Sequence, residues 1–213
     1  PGTLLISAMA VMGDVKKAVT MDVKEAGDLI YVVGETYDEL GGSIYFDNLG
    51  AIGNNCPKVN IKKARQLMQA LSRATAKGLI AACHDCSEGG IAVTCAEMAF
   101  AGGMGMEIFL GEVPFASKSQ IPNPQSQTNP KSQIPESKRN DTILFSESNS
   151  RFIVEVAKKN QKEFEGRMNG LPFGLIGCVS EGKEFKVYGL DGKICIKAGI
   201  AKLKEAWQKP LRW

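Results

Sequence analysis

The stretch Leu79-Ile80-Ala81-Ala82-Cys83-His84-Asp85-Cys86-Ser87-Glu88-Gly89-Gly90-Ile91-Ala92-Val93-Thr94-Cys95-Ala96-Glu97-Met98-Ala99-Phe100-Ala101-Gly102-Gly103 decides the fold class. A short apolar run at 79–83 reads as a strand, and residues 90–100 read as a helix, apolar on nearly every side, that stops at Gly102-Gly103. A helix without a polar face has to be buried. The tight junction between them, with a glycine pair at the helix start, is the signature of a strand leading into a helix packed on its sheet.

Working outward, residues 4–12 and 28–33 are apolar runs bounded by Gly and Asp and are expected to be buried strands, with a polar linker between them. Asn60 is the expected N-cap of a helix reaching Lys77, with Ile61, Ala64, Leu67, Met68, Leu71 and Ala74 at helical spacing and Gly78 as its stop. Residues 106–110, 151–156, 175–179 and 185–188 read as strands, and residues 158–168 and 199–208 as helices. Alternation of the two types predicts an α/β (or α+β) class built on a mixed β-sheet packed with helices. Residues 116–141 interrupt the pattern: four of the nine prolines and two copies of Ser-Gln-Ile-Pro fall there, and aliphatic residues nearly vanish. Such a segment buries too little apolar surface to offset its ordering entropy, and a mobile insertion in a single domain spanning 1–213 is expected.

Composition excludes several function classes. With 26 Lys and Arg against 23 Asp and Glu spread along 213 residues, net charge is +3, and no basic block points to nucleic acid or to an anionic membrane. No apolar run approaches the ~20 residues of a membrane span, and the N-terminus has no secretory pattern, so a cytoplasmic location is expected. The start Pro1-Gly2-Thr3, running into Leu4-Leu5-Ile6 without an initiator Met, reads as a piece of a longer chain. Six cysteines, at 56, 83, 86, 95, 178 and 195, then read as reduced thiols. Cys83-His84-Asp85-Cys86 contains the chain's one His; zinc would need two further ligands, and no second CxxC or HxxxH supplies them. No metal site is expected.

Two glycine-rich turns carry the candidate chemistry. In the first, Asp85, Ser87, Glu88, Gly89 and Gly90 join strand to helix; backbone N–H groups and the positive end of the helix dipole suit a phosphate. Ser87 would cap the helix or add a hydroxyl to the anion, while Asp85 and Glu88 would orient a metal or a ribose. In the second, Gly34-Glu35-Thr36 and Glu39-Leu40-Gly41-Gly42-Ser43 follow the strand at 28–33, a placement that fits a ligand crevice at the carboxyl edge of a sheet. Ordinary tight turns would also satisfy both patterns. No GxxxxGK[ST], GxSxG or HExxH occurs.

The ordered set Gly27-Asp28-Leu29-Ile30-Tyr31, Gly34-Glu35-Thr36, Glu39-Leu40-Gly41-Gly42-Ser43, His84-Asp85-Cys86-Ser87-Glu88-Gly89-Gly90-Ile91-Ala92, Leu144-Phe145-Ser146-Glu147-Ser148 and Ser150-Arg151-Phe152 resembles the C-terminal domain of the synthetase subunit of phosphoribosylformylglycinamidine synthases. The ending from Ala206-Trp207 to Trp213 is similar as well. Single motifs are shared with aminoimidazole ribonucleotide synthetase, selenophosphate synthetase and thiamine-monophosphate kinase. The resemblance implies an ATP-dependent carbon–nitrogen ligase of purine biosynthesis, in which formylglycinamide ribonucleotide, ATP and glutamine-derived ammonia give the amidine, ADP and phosphate. It further implies ATP and Mg in the parent enzyme. The implied partners are the parent's ATP-binding half-domains, a glutaminase component supplying ammonia and the phosphorylated ribonucleotide substrate. A fragment lacking those half-domains is expected to be inactive alone. The resemblance carries Asp85, Ser87, Glu88, Gly89 and Gly90 over as a phosphate- or nucleotide-contacting loop and Glu35, Gly41, Gly42 and Ser43 as its neighbour, with no catalytic residue assigned. A structural or interface domain without its own ligand is the other class in view.

Overall fold

The computed structural model describes residues 5–116 and 138–212. In chain order its elements are β1 (Leu29–Val33), β2 (Thr36–Tyr37), α1 (Ile44–Asn48), α2 (Ile61–Ala76), β3 (Ala82–Asp85), α3 (Gly90–Gly102), β4 (Gly105–Phe109), β5 (Phe115–Ala116), α4 (Asn140–Phe145), β6 (Phe152–Val156), α5 (Gln161–Met168), β7 (Phe173–Ser180), β8 (Glu184–Tyr188), β9 (Ile194–Gly199) and α6 (Ile200–Gln208). Seven strands form one mixed sheet in the order β3-β6-β1-β7-β4-β8-β9, with the β4–β8 pair parallel and the other pairs antiparallel. The short β2 and β5 pair in parallel beside it.

The period of two along β1 sends alternate residues into two cores. Ile30 and Val32 join Ile153, Met106, Ile108, Ile176, Phe185 and Val187 under Ile91, Cys95, Met98 and Ala99 of α3 and Ile143 and Leu144 of α4. Tyr31 and Val33 join Val154 and Val156 on the other face, under Leu67, Ala70, Leu71 and Ala74 of α2 and Phe164 and Met168 of α5. As expected for its composition, α3 buries Ile91, Ala92, Thr94, Cys95, Ala96, Met98 and Ala99. Asn60 caps α2 by accepting the Lys63 N–H at 3.1 Å.

Four expectations change. Residues 5–12 form no strand and stand in solvent, Met9 at 99% and Val11 at 100% exposure, because among the described residues no strand pairs with them and no helix covers them. The strand expected at 79–83 is displaced to Ala82–Asp85, which puts His84 and Asp85 inside the ladder opposite Ile153 and Phe152. Leu79 and Ile80 are buried as a connection, with the Leu79 N–H closing onto Ala74 O at 3.1 Å. Strand β9 is new; at the sheet edge three of its six residues are exposed and none is fully buried. Of the expected insertion at 116–141, residues 117–137 lie outside the described residues, while Ala116 belongs to β5 and Asn140 and Asp141 open α4.

Candidate functional site

Strands β1 and β3 both run antiparallel to β6, so their carboxyl ends reach the same edge, with the start of β6 between them: Val33 and Asp85 are both opposite Phe152. The two glycine-rich segments are thereby brought together, as the crevice expectation requires. Backbone lies on backbone here. A Cβ on Gly34, whose φ is +112°, would stand 2.5 Å from Ser150 O, and Ser150 itself sits at φ +61°.

Behind the edge lies a buried polar hub. Arg151 is 1% exposed; its Nε donates to Ser148 O at 3.0 Å, one terminal nitrogen to Thr36 Oγ1 at 2.9 Å and the other to Ser146 O. The guanidinium therefore fastens segment 146–148 to β2. Glu39, equally buried, accepts the Lys58 N–H on Oε1 at 3.2 Å, while its Oε2 has no hydrogen-bond partner. Burial raises its carboxyl above the ordinary glutamate value, opposed by the nearby Ser148 hydroxyl, the Lys58 N–H and the charge of Arg151.

Glu147 ties the two turns to each other. Its Oε1 accepts the Gly89 N–H at 2.9 Å and the Ile44 N–H at 3.0 Å, so one carboxylate serves the N-cap of α3 and the first residue of α1. Ser87 does not cap α3. Its hydroxyl donates to Asp85 Oδ2 at 2.6 Å, which holds the Asp85 carboxyl below the usual range, and its carbonyl accepts the Gly90 N–H at 3.0 Å. His84 Nε2 faces Glu97 Oε2 at 2.8 Å and its Nδ1 lies 3.4 Å from Asp85 Oδ1. Trp207 of α6 donates its indole N–H to the other Glu97 oxygen at 2.7 Å. A run of polar contacts thus extends from α6 to Ser87.

Gly41, Gly42 and Ser43 spend their polar groups inside their own loop. The Gly41 and Gly42 N–H groups donate to Asn55 O at 3.0 Å and Ile52 O at 2.7 Å, and the buried Ser43 hydroxyl donates to Leu40 O and accepts the Phe46 N–H. Glu35 faces outward. Its Oε2 takes Lys63 Nζ at 3.0 Å and the Tyr37 hydroxyl at 2.6 Å.

Three adjoining cavities follow the edge. One of about 140 Å³ is lined by Glu35, Tyr37, Lys58, Lys63, Asn149 and Ser150. The next, about 560 Å³, shares Asn149 and Ser150 and adds Asp85, Ser87, Glu88 and Glu147. The third, about 340 Å³, shares Asp85, Ser87 and Glu88 and adds His84, Glu97 and Trp207. Lys58, Lys63, Glu147, Arg151, Glu97 and Trp207 were not among the residues singled out as site candidates by the sequence, although Glu147 and Arg151 stand in the quoted motifs. Burial pushes the Cys83 thiol up to about 12 and raises those of Cys86 and Cys95, so none of the three is a nucleophilic thiolate near neutrality. Among the described residues no three His, Cys, Asp or Glu side chains are grouped to hold a metal ion.

The family described as AIR synthase related protein, C-terminal domain, matches residues 25–189. Subunit PurL of phosphoribosylformylglycinamidine synthase from Methanothrix thermoacetophila is 33% identical over 211 residues, 98% of this chain and 24% of that protein. The same subunit from Alkaliphilus metalliredigens is 29% identical over 99% of this chain and 25% of its own. The chain therefore spans about a quarter of the length of these curated relatives. Among solved structures, Thermotoga maritima PurL complexed with FGAR superposes with a TM-score of 0.68 at 16% identity, covering 89% of this chain and 30% of that one. The hydrogenase maturation protein HypE of Escherichia coli superposes at 0.55 with 18% identity, covering 85% and 51%. At such identities the likeness is one of fold. No helix among the described residues is long and apolar enough to cross a membrane.

Proposed function

Because the chain belongs to the family of AIR synthase related proteins, C-terminal domain, we propose that it serves as the single C-terminal domain of a phosphoribosylformylglycinamidine synthase synthetase subunit. The observation that carries this reading is the 33% identity to such a subunit across 98% of the chain. The parent would be a cytoplasmic ATP-dependent ligase that converts formylglycinamide ribonucleotide and glutamine-derived ammonia to the amidine. Its partners would be the ATP-binding half-domains and a glutaminase component.

In this reading the edge crevice is the domain's contribution to a phosphorylated-ligand site. Glu35, Asp85, Ser87, Glu88 and Gly89 line it, while Gly41, Gly42, Ser43 and Gly90 line none of its three cavities and act behind it through close packing and hydrogen bonds of their own loops. The hydrogen bond from Ser87 lowers the Asp85 carboxyl below its ordinary value and joins the two side chains at the opening. ATP and Mg belong to the parent. Mg is usually held by one or two carboxylates together with substrate phosphates; the described residues offer no cage of three or more ligands.

One observation favours a second reading, an interface domain without a ligand: Glu147 already occupies the Gly89 and Ile44 donors. An assay of amidine formation, run on the chain alone and on the parent that contains it, tests the proposal. No turnover by the chain and ATP-dependent turnover by the parent are expected. Amidine formation by the chain alone, or its absence from the parent, overturns the reading. Stability measured with nucleotide separates the two classes, since a ligand at ~100 times its dissociation constant adds about 2.7 kcal/mol, and an interface domain shows no gain.

A further inference from the structure

The crevice is electrically polarised along the sheet edge. At the β1 end, Lys58 and Lys63 stand around the small cavity with one carboxylate, Glu35. At the far end stand Asp85, Glu88 and Glu97 with His84. In the middle, among the described residues, Arg151 is the one cation beside Asp85, Glu88 and Glu147, and its guanidinium is buried and turned onto protein oxygens. An anion entering the middle or far cavity meets carboxylates. The α3 terminus, which the glycine pattern marks as an anion site, already holds an anion of the protein's own in Glu147.

Resting on the phosphorylated-ligand reading above, we propose that the phosphoryl group of the ligand is received at the Lys58–Lys63 end, between β1 and the start of α2, and not on the 85–90 turn. Glu35 takes one of the three donors of the Lys63 ammonium at 3.0 Å and the Tyr37 hydroxyl a second at 3.5 Å, which holds the ammonium at the cavity with its third donor left to turn inward. The main chain of Lys58 is anchored on the buried Glu39 through its N–H at 3.2 Å, which fixes the base of a second ammonium-bearing side chain at the same opening. At about 140 Å³ this cavity is the smallest of the three along the edge. Asn149 and the strained Ser150 form the wall shared with the middle cavity, so a phosphoryl group seated here leaves the rest of its molecule lying toward Asp85 and Ser87.

Two sources carry this chemistry, a phosphate monoester on a ribose and a nucleotide's polyphosphate. Ribose 5-phosphate and inorganic pyrophosphate are therefore titrated separately into the 213-residue chain at low salt. We expect saturable binding of at least one probe, weakened at least tenfold in the Lys58→Gln/Lys63→Gln variant and unchanged in Lys202→Gln/Lys204→Gln, a charge-matched double substitution on α6. The tighter probe names the source. In the unsubstituted chain, the same probe should protect Lys58 and Lys63, but not Lys204, from amine acylation, a readout that needs no variant to fold. Binding that survives the lysine substitutions and disappears in Ser87→Ala returns the anion to the turn and overturns this inference, while the crevice reading stands. Failure of both probes to bind the unsubstituted chain contradicts the phosphoryl crevice itself.

Discussion

Two glycine pairs, Gly41-Gly42 before α1 and Gly89-Gly90 before α3, look alike in sequence and are built for different reasons. In the first pair the two demands on glycine are divided. Gly41 needs space, since its Cβ would lie 2.7 Å from the Asn55 backbone, whereas Gly42 has φ +71° and nothing nearer than Cys56 Sγ at 4.0 Å. In the second pair each residue carries both demands. Gly89 has φ +77° with Val93 Cγ2 at 2.3 Å from an added Cβ, and Gly90 has φ +60° with Ser146 O at 2.4 Å and Leu144 O at 2.7 Å. The second pair lets α3 start against the chain of α4 and segment 144–146; the first turns a loop that closes on its own backbone at Asn55 and Ile52. A glycine pair at a strand end is thus no direct mark of a ligand, because close packing of the protein on itself asks for the same residue.

Substitution separates the two. Gly90→Ala combines a left-handed backbone with a collision against carbonyl oxygens that cannot move independently, and a loss of about 3 kcal/mol or more is expected in denaturant unfolding. Gly42→Ala meets only the backbone preference and should cost about 1–2 kcal/mol. Equal losses at the two positions would remove the distinction between the turns. It also follows that a bulky residue at Gly89 reports on folding before it reports on ligand binding.

A smaller effect is expected at the hub linking the turns. Burial raises the Glu39 carboxyl above its ordinary value of 4.5, so the folded state holds this proton more tightly than the unfolded state does. Stability from this group therefore falls as pH rises from about 4.5 through the raised value, because there the folded state binds more protons. Glu39→Gln should flatten that part of the pH–stability curve. An unchanged slope would mean that the carboxylate is not held in a desolvated place.

Much of the fold was legible because local pattern and tertiary role agreed. Asn60, the apolar spacing of α2 and Gly78 describe one helix at three levels, and the apolar run at 28–33 finds β6 and β7 on either side. Residues 5–12 show what that reasoning omits. They are as apolar as β1, yet a strand also needs ladder partners and a covering layer, neither of which is written in the run itself. The site divides in the same way. That Glu35 and Asp85 share an edge follows from strand order once both are placed at strand ends. Glu147 reaching Gly89 across 58 positions and Trp207 reaching Glu97 across 110 follow from no periodicity, because they depend on how distant elements pack. Of the two roles the sequence leaves open for Ser87, the cap is not taken, because Asp85 accepts its hydroxyl and the backbone enters α3 through left-handed glycines.

The central claim is that one carboxylate makes the two turns a single edge. Amide hydrogen exchange at Gly89 and Ile44, compared between the unsubstituted chain and Glu147→Ala, tests it most directly. The account predicts protection of both amides in the unsubstituted chain and faster exchange of both, by at least tenfold, once the carboxylate is removed, with the amides of β1 and β6 unaffected. Acceleration at only one of the two, or at neither, would contradict it.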